Sequence, residues 1–463
     1  MSIQELPEVP VLMVGNFFGS SKPKSVEQYL RPLVNELNEM IQNGIVIADK
    51  LIQIRVRAII ADSPARAFIK GVAYFNHKLG CQKCTVEGKH HSAARVSYFP
   101  DIDAPVTTDE DFRALKYGDH HREPSPFIDL LFFDMIKGFP TSDCLHLLDC
   151  RITRTYFNCL KSGKLGMHRK WSPDTISRIN NVLQNVEIPT DFHRKFRNIE
   201  DTGLWKASEF NMFLHYASFI VFKDILTEED YNHFMLYYCA VTLFSTNVYR
   251  EHWPEADRML KQFVVQYGVL YGEHRLTSNL HSLVHVYDDV CTFRALKTFS
   301  TYPFEDKLQH VKNSLRNGHK VLAQAANRIS EQTPHSTVSK HPAFPYLECK
   351  GSGVTLHINY NMRLYPGTQD NWFLTKDFYI AKYCKAEKIG STINIYGTAL
   401  NKITETHTFF CSPMMKDIYE ANTSDFTIES IVFSPTDIKC KLVAIKTDDT
   451  NYVFVPLIQT LVE

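Results

Sequence analysis

The chain lacks an excess of charge of either sign. Its 51 lysine and arginine residues equal its 51 aspartate and glutamate residues, so net charge does not point to a nucleic-acid partner. It also lacks a long apolar run. The most apolar stretch, residues 210–225, includes His215 and Lys223 and is shorter than the ~20 apolar residues that a membrane-spanning helix needs. We therefore expect a folded protein that does not cross a membrane.

Cysteine is sparse, and its number is odd. Eleven cysteines are spread over 463 residues, unlike the dense, even-numbered disulfide frameworks of small secreted domains. A secretion signal is not expected, because Glu5 and Glu8 stand where such a segment carries positive charge and then an apolar run. The sequence predicts a reducing compartment, the cytosol or the nucleus.

The order of apolar patterns predicts the fold class. Residues 9–18 and 51–61 are apolar and β-rich, and each precedes a segment with helical spacing, 26–41 and 65–75. Strand, helix, strand and helix in this order predict an α/β domain with a parallel sheet. Residues 101–134 are rich in Asp, Glu and Pro and predict an irregular connection.

The pattern changes twice in the rest of the chain. Residues 139–271 have helical spacing, which predicts an all-helical block. Residues 331–345 contain proline and serine and predict a linker. Short alternating β segments follow at 354–360, 372–380, 391–396, 406–411, 427–433 and 439–445. We expect a multidomain α/β, α and β chain that ends in a small all-β domain, with divisions at 1–100, 101–280, 281–330, 331–345 and 346–463.

Two acidic residues lie where ligands bind or where helices begin. Asp62 follows the second predicted strand, and the carboxyl end of a parallel strand is a common ligand site. Asp is also a favoured N-cap for the helix that Pro64 opens. Glu305 lies in the first turn of a predicted helix, where the helix dipole favours an acidic residue. Local sequence leaves the functional and the structural alternatives open.

Two pairs of residues have the spacing of metal ligands. Cys81 and Cys84 are separated by two residues, as in tetrahedral zinc sites, whereas a thioredoxin-type redox pair would precede its helix. His281 and His285 lie four residues apart on one helical face. Ser282 occupies the position at which a zinc protease has Glu. Either these pairs bind zinc, or the histidines are hydrogen-bonded within a buried helix face.

Basic residues are concentrated in one segment. Residues 151–197 contain ten lysines and arginines but only three acidic residues. Such an excess is typical of surfaces that bind nucleic-acid phosphates, and a solvated helical face is the alternative. The candidate DNA contacts are Arg151, Arg154, Lys161, Lys164, Arg169 and Lys170.

Six segments, in unbroken order over roughly residues 10–330, resemble animal transposases related to the CACTA superfamily. The segments are 10–23, 61–67, 80–88, 139–146, 205–210 and 302–305, and they include Gly-Cys-Gln-Lys-Cys and Asp-Cys-Leu-His. The resemblance implies a DDE recombinase with a ribonuclease H-like core that a helical insertion interrupts. The catalytic subunit of the V(D)J recombinase is a distant relative of this family.

The resemblance also implies roles for individual residues. Asp62 and Glu305 would be the second and third catalytic carboxylates, which hold two Mg²⁺ ions for DNA strand cleavage and transfer. Cys81, Cys84 and the two histidines would bind a structural Zn²⁺ ion. DNA would be the partner, the nucleus the location, and a homodimer or larger assembly the working form.

One part of the family pattern is missing. The first catalytic aspartate belongs to an Asp-Gly-Leu-Pro-like motif that would precede residue 10, and Asn16 and Asp49 lie in the wrong elements to replace it. Asp143 is expected to be structural or to face DNA. We therefore expect a transposase-derived protein that is inactive as written. The alternatives are a non-catalytic, domesticated DNA- or chromatin-binding protein and a structural relic of a decayed element.

Overall fold

The computed structural model mixes helix with sheet and has two compact units. The first unit comprises Met1–Leu148 and Gly272–Lys340, and the second comprises Asp149–Tyr271 and His341–Glu463. The structure describes residues 1–461 except 7–8, 16, 18, 20, 22, 317, 319, 332–342, 351–352, 401–403, 406–417 and 426–429.

Helices occur in both units. In chain order they are α1 (Val26–Asn43), α2 (Ser63–Lys70), α3 (Asp109–Arg113), α4 (Arg154–Ser162), α5 (Pro173–Gln184), α6 (Ala207–Tyr216), α7 (Ser218–Lys223), α8 (Glu228–Phe244), α9 (Trp253–Tyr271), α10 (Ser278–His281), α11 (Val286–Phe293), α12 (Tyr302–Ser314) and α13 (Val321–Glu331). A π-helix at Cys144–Thr153 precedes α4. Within the described residues, no helix is long and apolar enough to cross a membrane.

The strands are mostly short. In chain order they are β1 (Ile45–Ile47), β2 (Lys50–Ile52), β3 (Lys89–His91), β4 (Val96–Tyr98), β5 (Val186–Glu187), β6 (Tyr346–Lys350), β7 (Gly353–Asn359), β8 (Met362–Leu364), β9 (Trp372–Thr375), β10 (Ile380–Ile389), β11 (Thr392–Ala399), β12 (Thr404–Glu405), β13 (Tyr419–Asn422), β14 (Ile431–Phe433), β15 (Ile438–Lys446) and β16 (Asn451–Pro456). Every strand pairing between described residues is antiparallel.

The predicted N-terminal parallel sheet is wrong. Both predicted helices are present as α1 and α2, but the described residues of 9–18 form no strand. Of the second predicted strand, only its start pairs, in the β1–β2 hairpin. Residues 53–61 lie outside any strand, and the amide of Ile59 donates to the carbonyl of Gly138 (2.9 Å). A β-rich run becomes a strand only where a neighbouring strand shares its hydrogen bonds, and apolar character alone does not supply that neighbour.

Helix α2 is shorter than predicted. Its N-cap is Asp62, and it ends at Gly71, which has a left-handed conformation with φ of 66°. A Cβ atom at Gly71 would lie 2.0 Å from the carbonyl oxygen of Glu123. The close approach of this neighbouring segment therefore requires glycine, and the glycine ends the helix.

A curled nine-stranded sheet belongs to the second unit. Its order is β12, β13, β16, β15, β9, β10, β11 and β14, and β5 also pairs with β15. Because β5 comes from the predicted helical block, that block and the C-terminal β segments share one sheet. A separate sheet contains β6, β7 and β8.

Five of the six predicted C-terminal β segments overlap strands of the structure. They correspond to β7, β9 with the start of β10, β11, β14 and β15. The predicted strand at 406–411 lies outside the described residues, as do most of the predicted linker at 331–345 and the first residues of the predicted strand at 427–433. The five-part domain division stays a prediction.

Candidate metal centre

The four predicted metal ligands come together in the first unit. Cys84 Sγ lies 3.2 Å from His281 Nε2, and Cys81 Sγ lies 3.4 Å from His285 Nε2. The two sulfurs are 3.5 Å apart and the two Nε2 atoms are 3.4 Å apart. A tetrahedral zinc ion bonds to sulfur at about 2.3 Å and to nitrogen at about 2.0 Å, which suits donor atoms at these separations. The cluster could therefore hold a metal ion.

Local structure explains how these side chains converge. A Cβ atom at Gly80 would lie within 2.8 Å of two backbone carbonyl oxygens, so only glycine fits the turn that leads to Cys81. His281 ends α10, and His285 ends the following 3₁₀ turn, so consecutive helical turns present the two imidazoles. Cys84 and both histidines are buried. The cluster is closed to bulk water on most sides, as structural metal sites are.

The two thiols differ in proton affinity. The hydrogen bond with Cys84 lowers the pKa of Cys81 well below its ordinary value, and the same bond raises the pKa of Cys84. Without a bound cation, Cys81 therefore releases its proton more readily than Cys84 does. Ligation by both sulfurs requires both protons to leave, so metal binding at this cluster must release protons.

Asp62 acts as a helix cap. Its Oδ1 accepts a hydrogen bond from the amide of Ala65 at 2.8 Å, and α2 begins at the next residue, Ser63. The structural alternative for Asp62 is confirmed. Capping occupies one carboxylate oxygen and does not exclude a further role.

Glu305 lies beside an imidazole that sequence reasoning did not select. Its Oε1 is 3.9 Å from His146 Nε2, and His146 Nδ1 is 2.6 Å from Asp143 Oδ2. The hydrogen bond with Asp143 raises the pKa of His146 against the effect of burial, and the charges of Asp62 and Glu305 raise it further. Three carboxylates therefore act on one imidazole. The Asp-Cys-Leu-His spacing, which brings Asp143 and His146 together, is the local pattern that could have identified it.

Asp143 has a structural role. Asp143 is 2% exposed, which favours the structural alternative over one in which it faces DNA. Burial raises its pKa, but hydrogen bonds from His146 and Thr301 outweigh burial and hold the pKa below its ordinary value. Asp143 therefore stays ionised inside the first unit because four donor groups of these two residues surround it.

The six candidate DNA contacts of the second unit differ in their surroundings. Three are exposed: Arg151, Lys164 and Lys170. Lys161 donates to the carbonyl of Glu200 (3.1 Å), and Arg169 pairs with the buried Asp230 (2.7 Å). Arg154 is half-buried. Intramolecular partners therefore account for part of the basic excess.

Comparisons of the chain with protein-family models, with curated proteins and with solved structures found no match. Within the described residues, the Cys/His cluster is the only group of three or more His, Cys, Asp or Glu side chains whose ligand atoms lie close enough together to hold one metal ion. Asp62 and Glu305, the predicted Mg²⁺ ligands, are not members of that cluster.

Proposed function

We propose that the chain is a transposase-derived protein of the DDE class, related to the CACTA-type animal transposases, that binds DNA without cutting it. In this proposal the first unit derives from a partial ribonuclease H-like core, although its described residues do not form the predicted parallel sheet. The second unit corresponds to the helical insertion and the C-terminal β region. The nucleus and a dimeric or larger assembly belong to the same proposal.

The Cys/His cluster is the observation that carries the proposal. Its Cys81–His285 and Cys84–His281 contacts join residues 204 and 197 positions apart. The family resemblance assigns these same four residues to one zinc site. The four side chains come together only through the tertiary structure, because local geometry explains only the spacing within each pair.

Zinc is the proposed ion. Two thiolates and two imidazoles in a closed tetrahedral site suit Zn²⁺ better than they suit Mg²⁺ or Ca²⁺, which prefer oxygen. When bound, zinc would supply folding free energy by cross-linking residues 81–84 to the turns that carry His281 and His285.

DNA cleavage is not part of the proposed present function. Two-ion catalysis needs several carboxylates around both ions, and the oxygens of Asp143, which shares the His146 imidazole with Glu305, are occupied by hydrogen-bond donors. This observation favours the non-catalytic DNA-binding alternative over an active transposase. The exposed Arg151, Lys164 and Lys170 support contact with phosphates.

A plasmid assay tests this proposal. The purified chain is incubated with supercoiled DNA at low salt in Mg²⁺ or Mn²⁺, beside a variant with Asp62→Asn and Glu305→Gln. We expect both proteins to retard the DNA equally and neither to nick it. If the unchanged chain nicks or joins the DNA and the double variant does not, the proposal that the protein does not cleave DNA is overturned. Failure to bind DNA at low salt would overturn the DNA-binding function.

A further inference from the structure

One buried arginine connects the turn between the two cysteines with Ala61, the residue that precedes Asp62. Arg66 is 5% exposed, and its Nε donates to the side chain of Gln82, between the two cysteines (3.1 Å). Its Nη1 donates to the carbonyls of Ala61 (3.0 Å) and Pro140 (3.2 Å). The guanidinium fork therefore joins the start of α2, the cysteine turn and the segment that leads to Asp143.

A second connection begins at the other residue between the cysteines. Lys83 Nζ pairs with Asp289 Oδ1 at 2.8 Å, and both side chains are buried. Asp289 lies in the first turn of α11, four residues after His285. Its Oδ2 accepts from the amides of Thr141 (2.7 Å) and Ser142 (3.1 Å) and from the Ser142 hydroxyl (2.8 Å). Asp289 thus holds the two residues that precede Asp143.

The same connection continues to Glu305. Asp143 Oδ1 accepts from the amide of Thr301 (2.8 Å), and Oδ2 accepts from its hydroxyl (2.6 Å). Helix α12 begins at the following residue, Tyr302, and Glu305 lies in its first turn. Each step from the cysteine turn to Glu305 is therefore a hydrogen bond between buried groups or a peptide bond.

We propose that Lys83 and Asp289 are positioning residues that set the placement of Glu305 through Asp143 and Thr301. In the proposed function Glu305 is a catalytic carboxylate by ancestry only, and the connection does not depend on that role. A buried carboxylate that loses its charge can no longer hold its donors as strongly, and a buried lysine that loses its partner is unpaired. The start of α12 should therefore loosen when Asp289 changes, even though Asp289 does not touch it.

Native-state hydrogen exchange of the Asp289→Asn variant tests the proposal. We expect the amides of Thr141, Ser142 and Thr301 to lose protection by at least tenfold. The Nδ1 proton resonance of His146 should also shift, because it reports the hydrogen bond with Asp143. Thiolate absorption of the Co²⁺-loaded protein should stay unchanged, which would show that the ligands themselves have not moved.

Asp370→Asn is the matched control, because Asp370 has similar surroundings in the second unit. It pairs with the buried Lys441 and accepts from the amide (3.0 Å) and hydroxyl (2.6 Å) of Thr190. The control should lower stability and leave exchange at Thr301 unchanged. If the Thr301 amide loses the same protection against exchange in both variants, the proposal is overturned, because a general loss of stability would then explain the faster exchange.

Two further variants keep the test decisive. If Asp289→Asn does not fold, Ser142→Ala removes one donor and should still reduce the protection of Thr301 about threefold. Lys83→Met combined with Asp289→Asn should recover stability by removing the unpaired lysine but should not restore protection at Thr301. Native protection of Thr301 in the folded Asp289→Asn variant would overturn the proposal. The plasmid assay does not report the protection of Thr301. A failure of this proposal can therefore be distinguished from a failure of the proposed function.

Discussion

The surroundings of the Cys/His cluster in the first unit and the helical part of the second unit differ in the side chains that they bury. The first unit buries charged side chains, among them Arg66, Lys83, Asp143 and Asp289, and each has several hydrogen-bond partners. The helical part of the second unit buries aromatic rings. Phe157 contacts Trp171 and Phe213 edge to face at 4.9 Å. Directional polar contacts therefore surround the Cys/His cluster of the first unit, while close packing of aromatic groups fills the helical part of the second.

This difference predicts different modes of failure. A buried polar network fails when one partner is removed, because the remaining group is left without a partner in a medium of low dielectric constant. An apolar interior loses stability in proportion to the volume removed. The first unit should therefore respond sharply to single changes at its Cys/His cluster, while changes in the helical part of the second unit should lower stability in proportion to the volume removed.

Loss of the metal should have the largest effect. Cys81→Ser removes one ligand, and structural zinc sites contribute about 10–16 kcal/mol of apparent binding free energy in small domains. We expect bound zinc to fall from one ion per chain to near zero and the first unit to unfold at lower temperature, while a transition of the second unit remains. Elemental analysis and calorimetry measure these two quantities.

The exposed Cys349 gives a matched control. Cys349→Ser removes a thiol from the second unit and should leave both zinc content and melting unchanged. Purified protein without zinc, or a Cys81→Ser variant with unchanged melting, would contradict the zinc assignment and remove the main support of the proposed function.

The metal-ligand candidates could be predicted from the sequence because they form closely spaced pairs. The pairs Cys81 and Cys84, and His281 and His285, could be recognised from their intervals of three and four residues, and the resemblance joined them. The same reasoning proposed Arg169 as a DNA contact, although its partner Asp230 lies 61 residues away. No local pattern predicts such a pairing.

The missed features share one physical cause. The apolar run at 51–61 satisfies strand preferences, yet strand formation depends on a neighbour that the run itself does not contain. Lys83 and Asp289 are 206 residues apart, and no local pattern pairs the lysine of the Gly-Cys-Gln-Lys-Cys motif with that aspartate. A buried ion pair of this kind depends on tertiary geometry, so only the structure could reveal the connection from the metal centre to Glu305.

Acid should act on the second unit through buried histidines. Burial lowers the pKa of His215 and of His233 to about 4, whereas an unfolded histidine titrates near 6.5. The unfolded state therefore binds more protons between these values. Stability is fully present above pH ~6.5 and falls as the pH drops toward 4, by about 1.4 kcal/mol per pH unit for each histidine.

Replacing one of these histidines should reduce the acid dependence. His215→Asn keeps a polar group near the Thr242 hydroxyl, which lies 3.0 Å from His215 Nδ1, but cannot take up a proton. Urea unfolding of the second unit between pH 7 and pH 4.5 gives its free energy of unfolding at each pH. The slope of that free energy against pH should be smaller in the variant by the contribution of one proton. His168→Asn, at an exposed position, should keep the original slope. Equal slopes for wild type and His215→Asn would contradict the prediction.

The smallest effect on the fold is expected from the exposed basic side chains of the second unit. Replacing Arg151, Lys164 and Lys170 with Ala should leave melting nearly unchanged, since surface substitutions usually alter stability by less than about 0.5 kcal/mol. Removing a side chain that binds one phosphate should reduce the slope of log affinity against log salt by about 0.9. Fluorescence anisotropy of a labelled duplex over a range of KCl concentrations measures that slope.

Comparing Lys161→Met with the triple variant distinguishes basic residues that are proposed to contact DNA from basic residues that stabilise the fold. Lys161 donates to the carbonyl of Glu200 and to the hydroxyl of Thr202 (3.2 Å), so its replacement should lower stability and leave the salt slope unchanged. The triple variant should do the opposite. If its salt slope equals that of the wild type, the exposed basic residues form a solvated surface, and DNA binding must use another part of the molecule.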